Sequence, residues 1–386
     1  MNVIGQDAHG EALIKHVHRS KSKDAYFAFE QQVYPVGETV SVVLRPSVDY
    51  FSLEGTYQVM VLPLLDFDDD SACERLTLRA EENRLAFSFC FPSEQSYLIV
   101  VEEPWGEERN LIVRTCIYAL EADLFELLPL KGDLHCHSIC SDGLESPALV
   151  ADTAERLGFD FLAVTDHNSY EGSVLAGRRA REKGSGLIVL PGEEYSCSFT
   201  PMHIVSLGGR AALEESFYAP ESWSGSAFDM TKRLLRAIAE NGGVSVMCHP
   251  LWKAIRPDGS RKDTPLSLIC SLLCDGCFDA LEIVSGASRG SVSVSLNTYQ
   301  IALASDAAPE NIAYLGVTDS HMYSIDAIAG RHLTMVFARE RSEQGVLDAI
   351  REKRTVAVQI DADGQAHCFG SLRLCRYAEF LFRARR

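Results

Sequence analysis

Long apolar runs are missing from this 386-residue chain. No stretch approaches the roughly 20 residues that a membrane-spanning helix needs. The opening MNVIGQDAHGEALIKHVHRSKSKD also lacks the apolar centre of a secretory signal. A cytoplasmic protein without membrane contact is the resulting expectation. Basic residues are scarce: 36 Lys and Arg stand against 54 Asp and Glu, a formal charge of −18. Such a surface repels polyanions, so no stable nucleic-acid partner is expected. The deficit is uneven, with roughly 10 basic against 22 acidic residues in positions 1–128. Bound cations could still draw anionic substrates locally. The apolar share is ordinary, 46% against 23% charged, which is enough for a core without structural disulfide or metal. The length suits two domains, or one barrel with an appendage.

Cysteine is not scarce. The twelve present fit a reducing compartment, and their spacing matters more than their number. Cys270, Cys274 and Cys277 form CSLLCDGC, whose CxxxCxxC spacing resembles the cluster motif of radical S-adenosylmethionine enzymes. The same spacing is i, i+4, i+7 on a helix, and the flanking apolar residues favour three buried core thiols.

The chain changes character near residue 128. Before it, short β-rich runs such as ETVSVVLRP, TYQVMVLPLL, RLAFSFCF and SYLIVVEE alternate with turn material. That pattern predicts a mainly-β, sandwich-like domain over residues 1–128, with a possible short helix in the first two dozen residues. The acid-rich LLDFDDDSACE lacks the ordered spacing of a calcium loop and reads as a solvated turn. From 129 to 386, strand and helix alternate. SPALVADTAERLG has Ser146 as N-cap and Pro147 at the first helical position, and SVLAGRRAREKG is closed by Gly184. About seven β/α units predict a parallel sheet on the scale of a barrel.

In such barrels, chemistry sits beyond the C-terminal ends of the strands. His135 and His137, with Asp142 beyond, follow LLPLKGDL, and His167 follows FLAVTD. Glu193 and Glu194 follow GLIVLPG, His203 begins HIVSL, His249 follows VSVMC, and Asp319 and His321 follow AYLGVT. Taken singly, each has an ordinary explanation as a strand-end polar group or turn residue. Together they are harder to dismiss. Of the 11 histidines, those six fall at strand ends, while His9, His16, His18, His332 and His367 show no such placement.

The ordered motifs DLHCHSICSDG, VTDHN, PGEE, HIVSLG, CHP and GVTDSH resemble those of the PHP (polymerase and histidinol phosphatase) metallophosphoesterases, over about residues 129–386. The resemblance implies a distorted seven-stranded (β/α) barrel, an α/β fold, and a cluster of two or three divalent ions such as zinc, manganese or iron. His135, His137 and Asp319 would hold one ion, and Glu194 would bridge to a second completed by His203 and His249. Asp142, His167 and His321 would bind a third. Glu193 would be structural, as would Cys136, which alternates away from the two ligand histidines, and Cys248.

The reaction so implied is hydrolysis of a small phosphate ester, a nucleotide or a histidinol-phosphate-like monoester, by a metal-bridging hydroxide. His135, His137, Glu194 and Asp319 would be central to catalysis. Lys253, Arg256, Arg261 and Lys262, on the loop after His249, and Arg331, after the last ligands, are candidate substrate anchors, with solvated loop charge as the ordinary alternative. Trp252 could stack on a base or sugar, or simply pack. The same site could instead cleave a carbamate, amide or other ester, or the protein could be a metal-binding regulatory or binding module. The N-terminal domain could cover the barrel mouth, mediate homo-oligomer formation or bind a polymer.

Overall fold

The computed structural model describes residues 26–65, 73–105, 108–196, 202–210, 225–255, 261–288 and 290–384. Arg256, most of the acid-rich turn and the first two dozen residues lie outside them. The chain divides into two units, Met1–Glu126 together with Arg383–Arg386, and Leu127–Phe382.

The first unit follows from two-residue alternation. In Leu85–Cys90, Leu85, Phe87 and Phe89 are buried and the residues between them exposed. This strand lies in a three-stranded sheet with Phe27–Phe29 and Thr39–Pro46. A five-stranded sheet orders Val33–Pro35, Glu108–Leu120, Gln95–Trp105, Thr56–Pro63 and Glu74–Arg79. Val42, Leu44 and Phe87 from the first sheet share one apolar cluster with Val59, Ile99 and Ile117 from the second. Each such side chain contributes about 1.5–3 kcal/mol by leaving water.

The second unit mixes strands and helices. Ser146 accepts a hydrogen bond from Leu149 N at the start of Pro147–Arg156, and Gly184 ends Glu171–Lys183 in a left-handed conformation. Further helices span Ala227–Glu240, Leu266–Cys274, Val292–Ala304, Glu343–Arg351 and Leu372–Ala384. Phe161–Leu162 pairs in parallel with Leu128–Asp133, and Ala280–Val284 lies parallel between Val244–Met247 and Ala313–Gly316. Two isolated parallel bridges, His167 with Glu194 and Cys136 with Ser320, link the ends of Phe161–Leu162 and Leu128–Asp133, inner strands of the six-stranded sheet, to the two edges of the five-stranded one.

The sheet is not wholly parallel, which corrects the expectation from alternation. Ile204–Leu207 is antiparallel to both Gly192–Tyr195 and Val244–Met247. Only eight residues join Tyr195 to Ile204. That is too few for the crossover a parallel neighbour requires. The reversal puts the start of this strand, and so His203, at the end of the sheet where its neighbours finish. His332–Ala338 is also antiparallel, running against Leu128–Asp133 and Thr355–Ile360.

The cysteine expectation is corrected too. In Leu266–Cys274 the buried residues are Ile269, Leu272 and Leu273, whereas Cys270 and Cys277 are half-buried and Cys274 exposed. The helix ends at Cys274, so Cys277 lies beyond it, and the bulkier Ile269, Leu272 and Leu273 take the inner face because they remove more apolar area from water. None of the three belongs to a potential metal-ligating group among the described residues.

Candidate metal centre

Backbone lacing sets the site. His135 and His137 follow the strand Leu128–Asp133 and are both fully buried. Asp319 N donates to His135 O at 2.8 Å, and His137 N donates to Ser320 O at 2.9 Å, so the two ligand-bearing segments are tied rung by rung. Asp319 holds a left-handed φ of 53°, uncommon outside glycine. The Asp142 loop turns back at Gly143, where a Cβ would lie 2.6 Å from the His137 carbonyl carbon. No side chain fits that approach.

All nine candidate ligands come together. The Nε2 atoms of His135 and His137 are 3.2 Å apart, and Asp319 Oδ1 lies 3.3 and 3.1 Å from them. Glu194 presents its two oxygens to different partners. Oε1 is 2.8 Å from His203 Nδ1 and 3.1 Å from His249 Nε2. Oε2 lies 3.3 Å from each of His135 Nε2 and His137 Nε2, and 3.0 Å from His167 Nδ1. Asp142 lies 3.3 Å from His321 Nε2, 3.5 Å from His167 Nε2 and 3.8 Å from His137 Nδ1. His137 therefore faces two groups at once. Three overlapping sets result: His135, Glu194, His249 and Asp319; His137, Asp142, His167 and His321; and His167, Glu194 and His203.

The donor set fits a divalent cation. His137 Nδ1 and Glu194 Oε2 are buried without a hydrogen-bond partner. Such atoms are costly unless an ion or water completes them. Imidazole mixed with carboxylate suits zinc, manganese or iron(II). Without a cation, the charges compensate one another. Burial opposes ionisation of Asp319, but the imidazoles of His135, His137 and His249 hold its carboxyl down at about 2. Burial likewise opposes protonation of His137, and Asp319 and Glu194 overcome it, raising the imidazole to about 9. Glu194, despite burial, is held well below the usual carboxylate range by the surrounding histidines.

Three carboxylates that hold the ligands were not singled out from the sequence. Asp133 accepts from His135 N, Thr318 N and Thr318 Oγ1, joining the segments of His135 and Asp319. Burial pushes its carboxyl up to about 6 even so. Asp166 accepts from Ser138 N, Ser138 Oγ and Ser141 Oγ, fixing the loop that carries Asp142. Glu282 touches His135 and His249. The first two stand within two residues of a ligand histidine, in GDLH and TDH, which is the one local signal available. Glu282 has none. Cys248, buried as expected, stands with His135 and Glu282 in a further potential ligand group.

Lys253 and Arg261 lie on a hairpin of Lys253–Ile255 with Arg261–Asp263. Trp252, just before it, is 42% exposed, and its ring centroid is 5.5 Å from those of His203 and His249. Arg331 is exposed in the turn before His332–Ala338. His332, set aside in the sequence, is buried within that strand, and burial lowers its imidazole to about 4.

No protein-family model matches the chain. An 84-residue stretch is 36% identical to the DNA polymerase/3'-5' exonuclease PolX of Bacillus subtilis, covering 21% of this chain and 14% of that protein. A 79-residue stretch is 40% identical to a 5'-3' exoribonuclease of Haemophilus influenzae, covering 20% of this chain and 28% of that one. The chain thus spans a small part of either relative. A two-domain protein of Bacteroides vulgatus, with a predicted PHP-like metal-dependent phosphoesterase, is similar in structure at a TM-score of 0.45 and 24% identity, over 60% of this chain and 65% of that one. The chain resembles PHP proteins, as its ordered motifs imply. Among the described residues, no helix is long and apolar enough to cross a membrane.

Proposed function

We propose that the second unit is a metal-dependent phosphoesterase acting on a small phosphate ester, with residues 1–128 as a separate mainly-β domain. The observation that carries this reading is the convergence of six imidazoles and three carboxylates, two of whose buried ligand atoms form no hydrogen bond. A seven-stranded barrel is part of the proposal. It is supported by unbroken pairing from Leu128–Asp133 round to Ala313–Gly316 through Phe161–Leu162, Gly192–Tyr195, Ile204–Leu207, Val244–Met247 and Ala280–Val284, counting the two isolated bridges.

His135, His137, Glu194, His249 and Asp319 would hold cations on the buried side, with Asp142, His167, His203 and His321 towards the mouth. Side-chain exposure supports that direction: Asp142 and His321 are 56% and 38% exposed, His135 and His137 0%. Ions bound there would supply a hydroxide nucleophile at neutral pH and neutralise the ester oxygens. The split presentation of Glu194 suits a carboxylate that bridges two positions. Its buried surroundings exclude water from the inner face. Lys253, Arg261 and Arg331 are proposed to receive the phosphate, since guanidinium and ammonium groups pair with its oxygens.

The test is metal analysis coupled to a phosphate-release screen over nucleotides, sugar phosphates and amino-alcohol phosphates, with carboxylic esters and carbamates alongside. Metal-dependent phosphate release that disappears in His137→Ala supports the reading. Metal-dependent cleavage of the non-phosphate substrates alone would move the assignment to another bond.

A further inference from the structure

Glu282 is the third residue of the strand Ala280–Val284, a charged side chain that is 1% exposed. Neither of its oxygens faces solvent, and both are used. His135 Nδ1 donates to Oε1 at 2.6 Å, and the backbone N of His249 donates to Oε2 at 2.7 Å. A carboxylate can only accept, so whenever the His135 imidazole is neutral, as a metal ligand must be, its proton sits on Nδ1 and its lone pair on Nε2. That Nε2 is the atom lying 3.3 Å from both Glu194 Oε2 and Asp319 Oδ1. One buried anion therefore fixes the tautomer of one candidate ligand and the main-chain position of another, on two different strands.

We propose that Glu282 is a positioning residue that sets the affinity of the innermost metal position, by orienting His135 and by tying the His249 turn to it. The inference rests on the metal-site reading above and adds to it a residue that binds no ion itself. The chemistry explains why a carboxylate stands here. Burying an anion is unfavourable unless its partners repay the lost hydration. An anionic partner on the outer nitrogen makes an imidazole a stronger donor through the other nitrogen. His321 offers an internal contrast, because its Nδ1 faces the main-chain oxygen of Asp319 at 3.0 Å, a neutral acceptor. The Glu282 side of the cluster should accordingly hold its ion more tightly than the His321 side. Only a carboxylate serves both donors. In Glu282→Gln one oxygen becomes an NH2 group, which must face either His135 Nδ1–H or His249 N–H, donor against donor.

Equilibrium titration of the metal-free full chain with Co2+, followed by visible absorption and calorimetry, tests this without reference to turnover. Glu282→Gln is expected to weaken the tightest step about 10–100-fold and to change the ligand-field bands of that step. The weaker step should keep its affinity. Equal weakening of every step, together with a lower unfolding midpoint of the metal-free protein, would assign Glu282 a purely structural role and overturn the proposal, as would unchanged binding. If the variant does not fold, nitrogen-15 spectra of the histidines in the metal-loaded wild type decide. A proton on His135 Nδ1 with Nε2 unprotonated is expected, and the reverse tautomer overturns the inference. A wild-type chain that binds no Co2+ would remove the metal-site reading as well, which separates the two failures.

Discussion

Two concentrations of charge in the second unit are built from similar residues and behave in opposite ways. On its surface, Asp152 on Pro147–Arg156 accepts from Arg179 Nη2 at 2.8 Å and from Lys183 Nζ at 3.1 Å, both on Glu171–Lys183. Arg179 and Lys183 hold the Asp152 carboxyl down at about 2. Every charge there has an opposite partner, and water screens the whole group. In the buried cluster, the carboxylates meet imidazoles that are charged only when protonated, and His137 Nδ1 and Glu194 Oε2 form no hydrogen bond. The surface set explains itself as helix-to-helix packing. The interior set does not, because burying so many ionisable groups costs more than mutual pairing returns. A divalent cation bound there, as proposed, would account for the difference.

Removing a central ligand should separate the two most sharply. His137→Ala is expected to abolish metal-dependent phosphate release and one metal-binding step, with little change in the fold of the metal-free chain as judged by circular dichroism. Retained turnover at the wild-type level would place the reaction elsewhere.

A backbone lesion comes next. A Cβ at position 172 would stand 1.8 Å from Asp166 Oδ2, the carboxylate that anchors the Asp142 loop. Gly172→Ala is expected to destabilise the protein by about 1–3 kcal/mol, as overpacking does, and to weaken metal binding on the Asp142 side. Thermal unfolding and metal titration check both effects.

The interior cluster should also show itself through pH. The His137 imidazole is raised to about 9 in the metal-free fold, against 6.5 in an unfolded chain. The folded state therefore binds more protons between these values, and stability is fully present below about 6.5 and lost as pH rises through 9. Metal-free protein should lose unfolding temperature across that window, whereas metal-loaded protein, whose imidazoles are neutral ligands, should not. The smallest effect belongs to the surface. Asp152→Asn should lower the unfolding midpoint at pH 7 by no more than about 2 °C. Because the folded carboxyl is depressed, that contribution is present above about pH 4 and fades as pH falls towards 2.

The comparison also marks what a sequence can convey. Strand-end histidines announce themselves because six of eleven stand where apolar runs stop, and the structure brings those six together with Asp142, Glu194 and Asp319. Caps were legible for the same local reason: Ser146 and Gly184 act on atoms within four residues of themselves. The reversed strand Ile204–Leu207 was not, since direction depends on the length of a connection rather than on the strand's own residues. Glu282 was hidden because its partner His135 lies 147 residues away and its own segment, DALEIV, reads as ordinary alternation. The three cysteines near residue 274 show the limit of periodicity, as the helix ends at Cys274, short of Cys277, and turns Ile269, Leu272 and Leu273 inward instead. Substrate anchors stay least legible, because charge on a loop says nothing of where the loop is held.

The most direct measurement is the divalent-metal content of the full chain at equilibrium, beside that of His137→Ala. At least two ions per wild-type chain, bound with release of protons, and at least one fewer in the variant, are predicted. A wild-type chain that takes up no ion, or a variant that binds as many as its parent, would contradict the account.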